Sequence, residues 1–190
     1  MNGAQELIHI LATGDPQKSA EAAETLIALG KAAVKPLAEG LAGASPKCQW
    51  KILNVLSKMR DVDAVPQVIT CLDSENMAVR IAAVQCLQLI GDGAVVPRLL
   101  EMLSGPSEPG SKMWVIQALG AFHDPRVVNA LLRAVRETES AVERYTAIEA
   151  LGQIGDCCAI ETIQSYLNDE NHHVRAKART ALEALGVAFE

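Results

Sequence analysis

The sequence predicts an all-α fold, a right-handed α-solenoid of about six helical hairpins, and three observations predict it. Helix stops recur at Gly30, Arg60, Gly91, His123, Gly155 and Gly186, spaced by 30, 31, 32, 32 and 31 residues. Fifteen residues before these stops stand Asp15, Ser45, Asn76, Glu108, Ser140 and Asn171, and five of the six are preferred helix N-cap types. Eleven past each cap the residue is always Leu: Leu26, Leu56, Leu87, Leu119, Leu151 and Leu182. A repeat of this length with helical period in both halves means hairpins that bury their apolar faces only by stacking on neighbours.

The units run approximately 1–30, 31–60, 61–91, 92–123, 124–155 and 156–190, and together they read as a single domain over 1–190. Asp61, Asp92, Asp124 and Asp156 follow the stops and are N-caps for the first helix of their units. Val65, Val68, Ile69 and Leu72 mark that helix in the third unit, Val96, Leu99, Leu100 and Leu103 in the fourth, and Val128, Leu131, Leu132 and Val135 in the fifth. That spacing is helical, not alternating. Pro16, Pro46 and Pro109 sit at the first position of second helices, and Ser140 with Glu143 spells a capping box. Seven past the caps stand Ala22, Ile52, Ala83, Val115, Ala147 and Ala178; fourteen past stand Leu29, Met59, Ile90, Phe122, Ile154 and Leu185. With the Leu column these predict one buried face on each second helix. Gly120 and Gly152 fall inside second helices, where close backbone packing is the simplest reason for them. The segment from Ser104 to Ser111 (SGPSEPGS) reads as a longer exposed loop.

Composition narrows the function. The 190 residues carry 17 Lys+Arg against 23 Asp+Glu, a net charge of −6, with no basic run. That balance argues against nucleic-acid and anionic-membrane partners. No apolar stretch approaches the ~18 residues of a membrane span, and residues 1–30 lack a charged region followed by an apolar one. The expectation is a soluble, cytoplasmic protein. Cys48, Cys71, Cys86, Cys157 and Cys158 form no C-x-x-C pair. Cys48 and Cys86 fall at core positions, while Cys157-Cys158 begin a helix, where a thiol pKa can be lowered. His9, His123, His172 and His173 match no metal-ligand spacing, and the adjacent pair should diverge by about 100° on a helix. No nucleophile elbow, P-loop or dinucleotide fingerprint occurs, so no catalytic residue, metal or cofactor is expected.

Three columns on the second helices carry the functional signal. Five past the cap, nearly opposite the buried face, lie Ala20, Trp50, Ile81, Met113, Tyr145 and Ala176. A solvated helix should be polar there, yet the four middle units carry large apolar or aromatic residues. Eight past lie Leu53, Val84, Ile116 and Ile148, a column that contact between neighbouring second helices would explain; nine past lie Gln85, Gln117 and Glu149. Four past runs a basic column, Arg80, Lys112, Arg144 and Arg175, with Glu75, Glu139 and Glu170 five residues before three of them. It reads as an inter-repeat ion ladder, or alternatively as Arg forks for a carboxylate or phosphate.

The segments DGAVVPRLLEML (Asp92 to Leu103), the Val79-to-Gly91 run and VRAKARTALEALG (Val174 to Gly186) resemble HEAT-like repeats of the phycobilisome-lyase type, over residues 5–186. The resemblance implies a helical scaffold whose second helices line a concave groove. Its members include bilin lyase subunits, phycobilisome-degradation adaptors and deoxyhypusine hydroxylase, but the His-Glu pairs that hydroxylase needs are missing here. In such a groove the four large residues would span about 30 Å with helices about 10 Å apart. The chain is therefore expected to be a non-catalytic scaffold that holds a protein segment against Trp50, Leu53, Ile81, Gln85, Met113, Gln117, Tyr145 and Glu149. The alternative is a bilin lyase- or isomerase-like subunit binding an open-chain tetrapyrrole in the same groove, with Arg80 or Arg144 pairing its propionates.

Overall fold

Helix punctuation decides the architecture. The computed structural model describes residues 3–105 and 111–188, and among these there is no strand. The chain divides by its internal contacts into two compact units, Met1–Val95 and Val96–Glu190. In the first unit the helices are α1 (Gly3–Thr13), α2 (Pro16–Ala28), α3 (Lys31–Glu39), α4 (Pro46–Met59), α5 (Val65–Thr70) and α6 (Met77–Ile90). The second holds α7 (Val96–Ser104), α8 (Ser111–Leu119), α9 (Pro125–Glu137), α10 (Ala141–Ile154), α11 (Ile160–Gln164) and α12 (His172–Ala184). Odd-numbered helices are the first and even-numbered the second helices of successive hairpins, so the chain is an all-α helical-repeat fold.

The side chains that start the second helices do what their types dictate. Asp15, Ser45, Asn76, Ser140 and Asn171 each accept from a backbone N–H two or three residues on. Glu108, the remaining position of that series, lies outside the described residues, as does most of the SGPSEPGS loop. Asp61, Asp92, Asp124 and Asp156 cap in the same way. After three of them the first helix opens with a 3₁₀ turn, Val62–Ala64, Gly93–Val95 and Cys157–Ala159, a tightening the apolar pattern does not reveal. Among the stops, Gly91 and Gly155 at φ 77° and 78° and Arg60 at φ 54° without glycine's freedom are left-handed residues, whereas His123 has no positive φ.

The capping box is only half formed. Ser140 Oγ accepts from Glu143 N at 3.4 Å, but the Glu143 carboxylate accepts from Thr138 Oγ1, and Ser140 N donates to that same hydroxyl. Thr138 thus relays the return arm.

Burial follows the cap-counted columns with one exception. Positions seven and eleven past the cap are buried throughout, including Leu26, Leu56, Leu87, Leu119, Leu151 and Leu182. Position fourteen departs from the expected buried face: only Phe122 is buried, and Leu29 is 45% exposed. The helix there is already turning into its left-handed stop, so the side chain swings off the core stripe. Within each unit even-numbered helices pack on one another, α2 and α6 on α4 in the first, α8 and α12 on α10 in the second. Glycine sets the approach in the second unit. A Cβ on Gly152 would lie 2.8 Å from Ala181 Cβ and 2.9 Å from Ala181 Cα, and one on Gly120 2.8 Å from Ala150 Cβ.

Two stability measurements follow. Leu87→Ala removes fully buried methyls and should cost about 2–5 kcal/mol. Gly152→Ala gains helix propensity yet drives a methyl into backbone, so the net effect should be a loss of about 1–3 kcal/mol. Denaturant melts of the two variants check both; a Gly152→Ala protein more stable than wild type would show that α10 and α12 separate freely.

Candidate functional site

The exposed positions of the second helices are held in place by the same caps. In the first unit Trp50 stands on α4 at 49% exposure and Ile81 is half-buried on α6. In the second, Met113 on α8 and Tyr145 on α10 are half-buried. Gln85 and Gln117 are exposed. Leu53 does not belong with them: it is 0% exposed, and Val84, Ile116 and Ile148 of its column are likewise buried. That column is packing between second helices, so Leu53 presents nothing to a partner. Glu149 is also committed, paired with Lys177 across from α10 to α12.

Tyr145 has aromatic company. Its ring centroid lies 6.0 Å from that of His173, whose ring lies 3.8 Å from that of His172. The two adjacent histidines, expected to diverge by about 100°, have their rings close together in the first turn of α12. No group of three or more His, Cys, Asp and Glu among the described residues is placed to hold a metal ion.

The arginines of the basic column bind turn carbonyls and, at Arg144, a carboxylate of the next hairpin. Arg80 Nη1 donates to the carbonyls of Ser74 and Glu75 at 2.9 and 3.0 Å, and Arg175 Nη1 to those of Asp169 and Glu170 at 2.7 and 2.9 Å. Each ties down the turn before its own helix, using the backbone rather than the side chain of the preceding Glu. Arg144 reaches further, its Nη1 pairing with Asp169 at 2.7 Å where the two side chains are 14% and 7% exposed. It links the fifth hairpin to the sixth.

The cysteines also sort themselves. Cys48, Cys71 and Cys86 are buried, and desolvation pushes the Cys86 thiol up to about 12. Cys157 and Cys158 are exposed. The helix start does not activate Cys158: the hydrogen bond to the Asp156 carboxylate, with that carboxylate's charge, raises its pKa.

One cleft escapes the cap-counted columns. In the first unit, α2 and α4 with the end of α1 enclose about 330 Å3, floored by Ala20, Ala23, Ile27 and Trp50 and edged by Lys51 and Lys58. Lys51 Nζ donates to Leu11 O at 2.7 Å and to Ser19 Oγ at 2.9 Å, both neutral. The sequence does carry a signal for these cations: α4 holds Lys47, Lys51 and Lys58 and no carboxylate. In the second unit a smaller cleft of about 240 Å3 lies between α10 and α12, beside Gly152, Gln153 and Thr180.

Capped, close-stacked helical hairpins define a helical-repeat protein. Sequence comparison makes the class specific: the family described as HEAT repeats matches residues 34–112, 65–152 and 136–188, and the chain belongs to it. It is of the phycobilisome-lyase HEAT-like type. It is 31% identical over 131 residues to phycocyanobilin lyase subunit alpha of Nostoc sp. strain PCC 7120, covering 68% of this chain and 40% of that one. It is also 31% identical over 99 residues to phycocyanobilin lyase subunit beta of Thermosynechococcus vestitus, covering 52% and 46%. The chain thus spans about two fifths to half of these relatives. Among solved structures, the complex of CpcE and CpcF of phycocyanin lyase from Nostoc sp. PCC7120 superposes with a TM-score of 0.65 at 23% identity, over 97% of this chain and 77% of that one, which speaks to fold. No helix among the described residues is long and apolar enough to cross a membrane.

Arg144→Ala leaves Asp169 buried without its partner and should destabilise the protein by about 3–5 kcal/mol. Arg175→Ala, on the surface, should cost about 1 kcal/mol or less. Equal shifts in melting temperature for the two variants would count against the Arg144–Asp169 link between hairpins.

Proposed function

We propose that this chain is a bilin lyase-type subunit that binds an open-chain tetrapyrrole against the exposed apolar and aromatic residues of its second helices. The observation that carries the reading is the sequence relationship to both alpha and beta phycocyanobilin lyase subunits. The physics of the face agrees with it. A flat conjugated ligand needs aromatic and aliphatic surface that is already ordered, and each unit has some on a capped helix: Trp50 and Ile81 in the first, Tyr145 in the second. Gln85 and Gln117, exposed one turn from Ile81 and Met113, offer amide donors and acceptors for lactam edges. The role assigned to these side chains is binding and orientation, not bond-making.

A second reading has its own support: one structural neighbour is a complex of two subunits. We infer that protein contacts accompany ligand binding, with a partner segment lying on the same faces. In that arrangement the chain acts as a scaffold as well as a bilin-binding subunit.

The test is spectroscopic. Purified protein titrated with biliverdin should give a red-shifted, sharpened visible band. Trp50→Ala should weaken that binding by roughly thirtyfold, the equivalent of about 2 kcal/mol at an interface hot spot. An unchanged spectrum at saturating biliverdin would defeat the tetrapyrrole reading and leave the protein-scaffold one.

A further inference from the structure

If a carboxylate-bearing ligand lies on these helices, the cations that meet it should not already be engaged. Arg144 is locked against Asp169, and Arg80 is turned back on the carbonyls of Ser74 and Glu75. Lysines of α4 are placed differently. Lys47, Lys51 and Lys58 have no carboxylate partner among the described residues, and α4 itself supplies none. In a chain of net charge −6 this is a local positive field. Residues 47, 50, 51, 54 and 58 fall at i, i+3, i+4, i+7 and i+11, one face of the helix. Seven residues separate Lys51 from Lys58, which puts their Cα atoms about 10 Å apart along that face.

The cleft under this face has the matching shape and chemistry. Its walls from α2 are Ala20, Ala23 and Ile27, its wall from α4 is Trp50, and no carboxylate lines it. Lys51 is held at its edge by Leu11 O and Ser19 Oγ, two acceptors without charge. An ammonium has three N–H donors, so the third is left for a ligand, and its charge is uncompensated. The side chain is thus pre-positioned, and the ordering cost of using it has been met by α1 and α2.

We propose that the α2–α4 cleft of the first unit is a carboxylate-recognising subsite for the tetrapyrrole. In it an apolar ring system lies against Trp50, Ala20, Ala23 and Ile27, and its propionates meet the Lys51 and Lys58 ammoniums. The assignment rests on the bilin reading above and moves the propionate contact from Arg80 and Arg144 to α4. Trp50 gains a specific role in it, as the platform from which the two ammoniums are reached.

The experiment compares biliverdin with its dimethyl ester, which has the same conjugated body and no carboxylates. Wild type should bind the free acid about tenfold more tightly than the ester. Lys58→Gln should weaken the free acid about fivefold and leave the ester unchanged. Lys51→Met should do the same more strongly; because Lys51 also ties α4 to α1 and α2, the exposed Lys58 is the variant that decides. Trp50→Ala should weaken acid and ester alike. Equal affinity of wild type for acid and ester, or acid binding untouched by Lys58→Gln, overturns the subsite while the bilin reading stands. Failure of wild type to bind either compound overturns both. Loss of poly-glutamate binding in Lys58→Gln with biliverdin binding intact overturns it in favour of an acidic protein segment.

Discussion

A hydrogen bond from a backbone N–H to a short polar side chain, made at the start of five second helices, is the constraint on which the rest depends. Asp15, Ser45, Asn76, Ser140 and Asn171 each make it. Because a helix turns 100° per residue, fixing its first residue fixes the direction of every later one. Seven and eleven past the cap therefore point inward, and five past points away, in helix after helix. A start shifted by one residue would rotate Leu87 off the core and bring Gln88 toward it. Left-handed stops at Arg60, Gly91 and Gly155 close the same frame from the other end, and α4, α6 and α10 each run 14 residues. Small residues seven past the cap, with Gly120 and Gly152, then let neighbouring helices approach to backbone contact.

What could be read from the sequence is what local chemistry decides. Caps, stops and the Leu column are fixed by a handful of consecutive residues, and the structure has them where the spacing puts them. Features that depend on a second element were not readable. Leu29 looks like Leu26 in composition, but its exposure is set by where the chain turns, not by its type. Arg144 meets Asp169, a carboxylate delivered by the next hairpin, which its place in the basic column does not reveal. Leu53 reads as a face residue until the packing of α6 on α4 covers it. Cys158 follows the general rule that a helix start favours a thiolate, until the neighbouring Asp156 carboxylate reverses the sign. Lys51 and Lys58 were in plain view; the cap-counted columns passed over them because their significance is an absence, that of any Asp or Glu on α4.

The two units use charge in opposite ways. In the second, α10 and α12 exchange Glu149 with Lys177, and Arg144 meets Asp169 from the turn before α12. Those charges are spent on holding hairpins together, and an incoming anion would have to break an existing pair to use them. In the first unit α4 and α6 contain no acidic residue. Their contacts are made by apolar side chains, Ile52, Leu53 and Val55 on one and Ala82, Ala83 and Val84 on the other. Lys47 and Lys58 of α4 are thereby surplus to cohesion, and Lys51 is tied only to neutral acceptors.

That surplus bears on why Trp50 is tolerated where it stands. A side chain of this size at 49% exposure forgoes apolar burial that an inward position would give, about 25 cal/mol per Å2. Nothing in the fold needs it: Leu56 and Ile52 fill the core of α4 without help. Lys47 and Lys51 stand near it along the helix, and its surface is left to solvent. An aromatic placed this way, beside cations without counter-ions and above a cleft of small residues, loses little freedom when a flat acidic molecule covers it. The repeat supplies the rigidity, and the residues that break the repeat's pattern supply the chemistry.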